Sequence, residues 1–400
     1  GRLFLFSIGG FTFVVFKTYK MNDMKGKQGM VCMGLLLVLS SCHTGKQITA
    51  SGLQRKDFQT EVNGQHTDLF TLSNKQGMEV CITNYGARVV SILVPDRNGK
   101  REDVVCGFST ITEYMEQRQN FGSTVGRYIG RILNARFTLD GVEYKLVPNN
   151  GKSGHISHGG NPGFADRIWK VEQADTHRVC LSYLSPDGEN GFPGNLKVTL
   201  VYSLGEDDNA LDLTYEATTD APTVLNLSHH SFFNISGNFT KSVEDQQLWV
   251  DADRFTPYDD KKCVTGEYLQ VAGTPLDFRM PHAIGECIDA DHPQLKVVNG
   301  YDHTWELNTK GDDTRPAAWV YDPASGRKME IFTTEPGMQI YTGNGLKGKM
   351  TGKGGIAYPF RSAVCFETMH FQDSPNQPGF PSTVLRPGEV FRSHTVYKFE

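Results

Sequence analysis

The chain has 400 residues, which is long enough to bury a large hydrophobic core, and its formal net charge is −5. Acidic and basic residues are mixed along its length, without the basic patch that neutralises nucleic-acid phosphates. This pattern excludes the usual charge signature of nucleic-acid-binding proteins, so we expect no nucleic-acid partner.

The first 42 residues have the character of a leader rather than of a folded body. Residues 1–23 lack an initiator methionine and precede a plausible start at Met21 or Met24, so we interpret them as an extension outside the native protein. Residues 24–42 (MKGKQGMVCMGLLLVLSSC) place a short basic region before an apolar run and small residues, which is typical of a signal peptide. The apolar run is short for a membrane span.

The end of this leader, Leu39-Ser40-Ser41-Cys42, resembles the lipobox of bacterial lipoproteins. That pattern predicts cleavage before Cys42 and lipidation of this cysteine. The protein is then exported and anchored to a bacterial membrane, facing the periplasm or the cell exterior, with membrane contact only through the lipid. A plain signal peptide and an uncleaved apolar leader are the alternatives.

Residues 43–57 are polar and are predicted to form a flexible tether before a folded body that begins near Phe58. From there, short apolar runs bounded by turn residues predict β-strands. Examples are MEVCITNYGARVVSILV (78–94), the hairpin RFTLDGVEYKL (136–146), LKVTLVYSL (196–204) and ALDLTYEAT (210–218).

Helices are scarce in this pattern. The best candidate is STITEYMEQ (109–117), with Ser109 or Thr110 as its N-cap. No repeat or interdomain linker interrupts residues 58–400. We therefore predict an all-β protein whose residues 58–400 form one large antiparallel β-sandwich domain with few short helices.

Six cysteines follow the leader, at positions 81, 106, 180, 263, 287 and 365. None belongs to a C-x-x-C pair, so a structural zinc site is not expected. We expect mostly free, buried thiols.

Polar and ionisable residues gather in four places: GRYIGRI (126–132), HISHGG (155–160), NLSHHSFFN (226–234), and YDHTW with FETMHFQDSPN (301–305 and 366–376). Each has an ordinary structural explanation as well, such as surface arginines, loop histidines or an exposed strand carboxylate. If NLSHHSFFN is extended, alternate side chains face opposite ways, so His229 and His230 cannot share one environment. Alternation separates the two histidines without choosing between them.

Seven motifs occur in order over the span from about Phe58 to Glu400: TNYGARVVSILVPDRNGKREDVVCGF, GSTVGRYIGRI, SHGGNPGF, NLSHHSFFNISG, GYDHTW, PGMQIYTGN and FETMHFQDSPNQPGFPSTVLRPGE. Together they resemble the aldose 1-epimerase (galactose mutarotase) family. The resemblance implies a galactose mutarotase-like β-sandwich with an open cleft for a free aldohexose such as glucose or galactose. It also implies interconversion of the α and β anomers without a metal or an organic cofactor.

The resemblance further implies that His230 is the catalytic acid and Glu367 the catalytic base. The residues implied to hold the sugar hydroxyls are Arg131, His158, Asp302 and Gln339. Opening a hemiacetal ring requires a base for the C1 hydroxyl proton and an acid for the ring oxygen. A carboxylate near its normal pKa and an imidazolium suit these tasks near neutral pH.

The chain departs from the family pattern near the implied acid and the implied arginine. Gly130 and His229 each stand where the family usually has asparagine, and Phe232 stands for tyrosine. Three other functions stay open: a non-catalytic sugar-binding protein on the same scaffold, a glycoside hydrolase that uses Asp302 and Glu367, and a metal enzyme. The ligands of that metal enzyme would be His155, His158, His229 and His230.

Overall fold

The computed structural model describes residues 2–8, 11–17 and 48–400. The first two segments pair as an antiparallel hairpin, Arg2–Ile8 with Phe11–Lys17, and belong to a unit of their own. Residues 48–400 belong to a second unit, here called the body. The signal peptide predicted over residues 24–42 and its lipidated Cys42 lie outside the described residues.

The largest sheet of the body has nine antiparallel strands. In the strand Leu196–Leu204, every second side chain is buried and those between are half-buried or exposed. Because strand side chains alternate, this pattern turns one face of the sheet to the core. In spatial order, the strands are Lys170–Ala174, Arg178–Ser185, Leu196–Leu204, Ala210–Thr219, Phe391–Phe399, Lys328–Thr333, Ala318–Tyr321, Gln247–Val250 and His282–Ala283.

Two further sheets complete the main layers of the body. The strands of the six-stranded sheet, in spatial order, are Phe232–Phe233, Val364–Met369, Gly337–Tyr341, Asp302–Glu306, Arg254–Thr256 and Leu269–Gln270. The strands of the four-stranded sheet are Leu69–Ser73, Glu79–Thr83, Arg88–Pro95 and Arg101–Asp103.

One continuous hydrophobic core joins the three sheets. It contains Leu200 and Leu213 of the nine-stranded sheet, Trp305 and Ile340 of the six-stranded sheet, and Val80 of the four-stranded sheet, all almost fully buried. Burying a side chain of this size contributes about 1.5–3 kcal/mol, so the shared core holds the sheets face to face. The prediction of a large antiparallel β-sandwich is confirmed.

Short strand pairs and helices connect these layers. The two-stranded pairs are Glu61–Val62 with Gln65–His66, Ser123–Val125 with Ser228–His230, Arg131–Ile132 with Ile156–Ser157, Arg136–Leu139 with Val142–Lys145, and Thr223–Val224 with Val384–Leu385. The α-helices among the described residues are Ile111–Gln117 and Pro293–Val298. The single-turn 3-10 helices are Arg55–Phe58, Leu133–Ala135, Gly151–Ser153, Phe164–Asp166, Glu189–Gly191, Ile284–Glu286, Lys353–Gly355 and Ser374–Asn376.

The predicted helix is present, and Thr110 rather than Ser109 caps it. The Thr110 hydroxyl accepts a hydrogen bond from the Glu113 amide, and the Glu113 carboxylate accepts one from the Thr110 amide. This reciprocal capping box satisfies backbone donors that the first helical turn leaves open. Among the described residues, neither helix is long and apolar enough to cross a membrane.

The predicted tether differs from what is observed over its described part, residues 48–57. Leu53 is buried, the Ala50 amide donates to Glu79 at 2.7 Å, and Arg55 pairs with Asp68 at 2.5 Å. These contacts fix residues 48–57 against the rest of the body. The folded domain therefore begins before Phe58, where the sequence pattern places its start. A buried apolar side chain, backbone hydrogen bonds to Glu79 and an ion pair thus hold a stretch that composition alone marks as polar.

The six cysteines of the body are free, as predicted. Cys81, Cys106 and Cys365 are buried, whereas the other three are partly exposed. The expectation of burial therefore holds for half of them.

Candidate active site

The register of three neighbouring strands gathers the predicted base and two predicted sugar-binding residues. Gln339 pairs directly with Glu367 on one side and with Thr304 on the other. Asp302 lies two residues before Thr304, and so shares its face of the sheet. Direct cross-strand partners lie about 5 Å apart, so the side chains of Thr304, Gln339 and Glu367 form one polar floor. Asp302 lies on the same face of the sheet, beside this floor.

This floor closes a polar cleft of about 250 Å³. The cleft is lined by all six residues that the family resemblance selected: Arg131, His158, His230, Asp302, Gln339 and Glu367. Residues from six separate motifs thus meet at one place, although their roles in chemistry stay predictions.

His230 enters the cleft from a different element, the short strand Ser228–His230. Its ring stacks on Phe232 with centroids 5.1 Å apart, and its Nε2 lies 3.4 Å from Glu367 Oε1. The two side chains are only 7% and 5% exposed. The predicted acid and base are therefore close enough to act on one bound molecule.

His229 faces the other way, as strand alternation predicts. Its Nε2 lies 2.7 Å from Ser231 Oγ and its Nδ1 lies 3.4 Å from the Tyr202 hydroxyl. Burial lowers the pKa of His229 to about 3, so this ring is neutral at physiological pH. His229 is a buried structural neighbour of the site and does not line the cleft.

Arg131 and His158 reach the cleft from the strand pair Arg131–Ile132 and Ile156–Ser157 and the turn that follows it. The His158 amide donates to the Gly130 carbonyl at 2.9 Å, which fixes this turn against the arginine segment. The rings of His158 and His230 meet edge to face, 5.5 Å between centroids. Burial, and then the charge of Arg131, lower the pKa of His158 to about 4, so it is a neutral hydrogen-bonding group.

Arg127, in the same GRYIGRI segment, has a different place. It is 1% exposed, and its guanidinium donates to the carbonyl oxygens of Pro193 at 2.7 Å and Gly194 at 3.0 Å. This arginine joins loops of the body, so the segment supplies one structural and one cleft arginine.

Burial shifts both members of the His230–Glu367 pair towards their neutral forms. It raises the pKa of Glu367 well above its usual value, with Asp302 adding to the rise and Arg131 opposing it. Burial, and then the neighbouring His158, lower the pKa of His230 well below its usual value. The expectation that the Glu367 carboxylate has a near-normal pKa is therefore wrong for this cleft, because burial away from water disfavours the charged form of each group.

These shifts favour a pair in which Glu367 carries a proton and His230 is neutral. A proton on Glu367 leaves both groups neutral, and its transfer to His230 creates the imidazolium–carboxylate form without changing the net charge of the pair. Two interacting groups of this kind titrate together.

A metal can be considered at the same place. Among the described residues, His230, Cys365 and Glu367 are the group whose ligand atoms lie within 4.8 Å of one another. Burial raises the pKa of the Cys365 thiol well above its usual value, which keeps it protonated and a poor metal ligand. The four histidines considered as candidate metal ligands do not lie together. His155 instead accepts a hydrogen bond from the Asn134 amide and contacts Cys263 Sγ at 3.3 Å.

Several residues that line the cleft were not predicted from the sequence. They are Gln119, Asn120, Tyr341 and Gln372, and each stands in or beside a motif that carries the family resemblance. Polarity next to a recognised motif was the signal that could have selected them.

The fold and the cleft together define a class of protein: a large β-sandwich with a buried imidazole–carboxylate pair in a cleft lined by arginine, amide and carboxylate groups. Comparison with known proteins narrows this class. The family model described as aldose 1-epimerase matches residues 68–398. The chain belongs to the aldose 1-epimerase family.

Individual relatives agree with this assignment. The chain is 40% identical to a galactose mutarotase of Bos taurus over 331 residues, 82% of this chain and 93% of that protein. It is 36% identical to an aldose 1-epimerase of Escherichia coli (strain K12), covering 84% and 96% of the two chains. The crystal structure of an aldose epimerase homologue from C. elegans has a TM-score of 0.77 at 31% identity, over 84% of this chain and 99% of that one.

Proposed function

We propose that this protein is a mutarotase that interconverts the α and β anomers of free aldohexoses such as glucose and galactose. The observation that carries the proposal is the 3.4 Å approach of His230 Nε2 to Glu367 Oε1, inside a cleft lined by arginine, amide and carboxylate groups. Such groups make strong hydrogen bonds to the hydroxyls of a polyol.

In the proposed reaction, the pair acts in its imidazolium–carboxylate form. Glu367 takes the proton of the C1 hydroxyl while His230 protonates the ring oxygen, and the bond from C1 to that oxygen breaks. Rotation about the C1–C2 bond then presents the other face of the aldehyde. Ring closure reverses both proton transfers and restores the pair, so no proton is gained or lost over one turnover.

The remaining cleft residues hold the sugar in this proposal. Gln339 is oriented from two sides, because its Nε2 donates to Asp302 at 2.7 Å and its Oε1 accepts from the Thr304 hydroxyl at 2.5 Å. A fixed amide and a fixed carboxylate next to Arg131 position the pyranose without requiring side chains to be ordered on binding.

Polarimetry on freshly dissolved α-glucose and α-galactose tests the function. The full chain is expected to bring both sugars to anomeric equilibrium faster than buffer, before and after incubation with EDTA, and to leave aryl glycosides intact. Equilibration no faster than the buffer control would refute the enzyme and favour the sugar-binding alternative. Loss of activity on chelation would favour the metal enzyme, and release of the aryl group the glycoside hydrolase.

We also propose that the protein is an exported lipoprotein anchored through Cys42. The support is the basic, apolar and small-residue order of residues 24–42. Expressed in a bacterial host, the full chain is expected to incorporate radiolabelled palmitate. The Cys42→Ser variant should lose the label, whereas Cys32→Ser, a matched change within the same leader, should keep it. Labelling that survives Cys42→Ser contradicts the anchor.

A further inference from the structure

Position 130 of the cleft wall has no room for a side chain. Gly130 has a φ of 76°, and a Cβ built on it would lie 2.6 Å from Gln372 Cγ. Carbon atoms that are not bonded rarely approach so closely, so the side chain of Gln372 already occupies the volume that a residue at 130 would fill. Gly130 and Gln372 are 242 residues apart in the sequence (372 minus 130) and both line the cleft.

Gln372 uses both ends of its amide in that position. Its Oε1 accepts from the Arg131 amide at 3.3 Å and from the Arg131 guanidinium at 3.4 Å. Its Nε2 donates to the Tyr258 hydroxyl at 2.7 Å and lies 3.4 Å from Gln339 Oε1. One buried amide thus connects two of the residues that the proposed function assigns to sugar binding.

The contacts of Oε1 leave it able to accept more. An amide oxygen has two lone pairs, and both of its present hydrogen bonds are near the long limit for N–H donors. A sugar hydroxyl that enters the cleft can therefore donate to Oε1 while the guanidinium turns towards the sugar. The short bond to Tyr258 holds the amide plane during that exchange.

We propose that Gln372 is a sugar-positioning residue that determines which aldoses this cleft prefers. Its amide takes the place of a side chain at position 130 and orients Arg131 and Gln339 against the sugar hydroxyls. This inference rests on the proposed function, because it assigns a task within the same site. The amide of Gln372 bonds to the sugar-holding residues and not to the His230–Glu367 pair, so it acts on binding and leaves proton transfer to the pair.

The test compares three variants of the full chain: Gln372→Ala, Gly130→Asn and the double variant. Asparagine is chosen because it adopts positive φ angles more readily than most residues. Gln372→Ala should raise KM about 5- to 10-fold, the effect of one or two lost hydrogen bonds, and leave kcat within about two-fold. Gly130→Asn should lower kcat/KM because the new side chain meets Gln372.

The double variant is the decisive one. With Gln372 truncated, the asparagine introduced at position 130 gains the space it lacks, so KM should recover to below that of either single variant, with a changed ratio of kcat/KM for galactose and glucose. If each substitution instead causes a separate structural defect, the losses of the two single variants should add, and the double variant should be the worst of the three. Gln377→Ala removes an amide that bonds Asp373 on the same loop but does not line the cleft, and it should leave KM unchanged.

Calorimetric titration with sugar separates this inference from the proposed function. If the wild-type protein binds sugar but shows no turnover, the proposed function fails while a weaker affinity of Gln372→Ala still supports the inference. Unchanged affinity and unchanged KM in Gln372→Ala, or a double variant whose loss equals the sum of the single losses, overturns it. Absence of any sugar binding by the wild-type protein overturns both.

Discussion

The same substitution, histidine to asparagine, at the adjacent positions His229 and His230 should have opposite effects. At one position it should mainly lower kcat, and at the other it should mainly lower the free energy of unfolding. His230→Asn removes the proposed acid. A positioned acid contributes a factor of about 10² to 10⁴ in rate, equivalent to about 3–5.5 kcal/mol of activation free energy. Because the ring of His230 lines the cleft in which the sugar is proposed to react, its replacement should lower kcat by more than it lowers the free energy of unfolding.

His229→Asn should do the reverse. The ring is buried behind the strand, and the substitution removes its 2.7 Å contact with Ser231 Oγ and leaves a small cavity beside Tyr202. A lost buried hydrogen bond together with lost packing lowers the free energy of unfolding by about 1–3 kcal/mol. Because the ring does not reach the cleft, kcat should stay within about two-fold of wild type.

Polarimetry gives kcat and KM for both variants, and urea denaturation gives their free energies of unfolding. Comparable losses of kcat in the two variants would refute the assignment of the acid to His230. Full turnover in His230→Asn would refute the proposed mechanism itself.

Three further predictions concern charge. Glu367→Gln should lower kcat about 10³-fold or more through loss of the base. Glu335 is a buried carboxylate that contacts His370, and the control variant Glu335→Gln should keep the wild-type kcat. More than a few per cent of activity in Glu367→Gln would exclude Glu367 as the base. Because burial lowers the pKa of His230 and raises that of Glu367, kcat/KM should be level across neutral pH, and an acidic limb centred at 6.5, the ordinary histidine value, would contradict this. The His394 ring donates hydrogen bonds to the carboxylates of Asp212 and Asp313, and these raise its pKa from 6.5 to about 9. The protonated ring therefore stabilises the fold fully below pH 6.5, and about 1 kcal/mol, after allowance for its partial exposure, should be lost as pH rises through about 9. Urea denaturation at about pH 6 and about pH 10 should show that difference in wild type and not in His394→Gln.

Local sequence patterns were sufficient for the features that depend on near neighbours. The period of two separated His229 from His230, and the Ser109-Thr110 pair marked the start of the helix at Ile111 to within one residue. These features follow from strand geometry and capping chemistry, which act over a few residues.

Features that depend on distant contacts could not be obtained in this way. The direct pairing of Gln339 with Glu367 and Thr304 is set by strand register across the sheet. The shifted pKa values of His230 and Glu367 come from burial by several elements. The replacement of a side chain at 130 by Gln372 joins residues that no local pattern connects.

The cross-strand register of Thr304, Gln339 and Glu367 has a consequence for how such a site can change over evolution. Spacing between the base and its polar neighbours on the floor is set by the distance between hydrogen-bonded strands, about 4.8 Å, and a slip of one residue would turn the whole set away from the cleft. His230 arrives on a separate short strand and is not bound by that spacing. Substitutions beneath that strand can therefore change the separation of acid and base without changing the spacing of Thr304, Gln339 and Glu367.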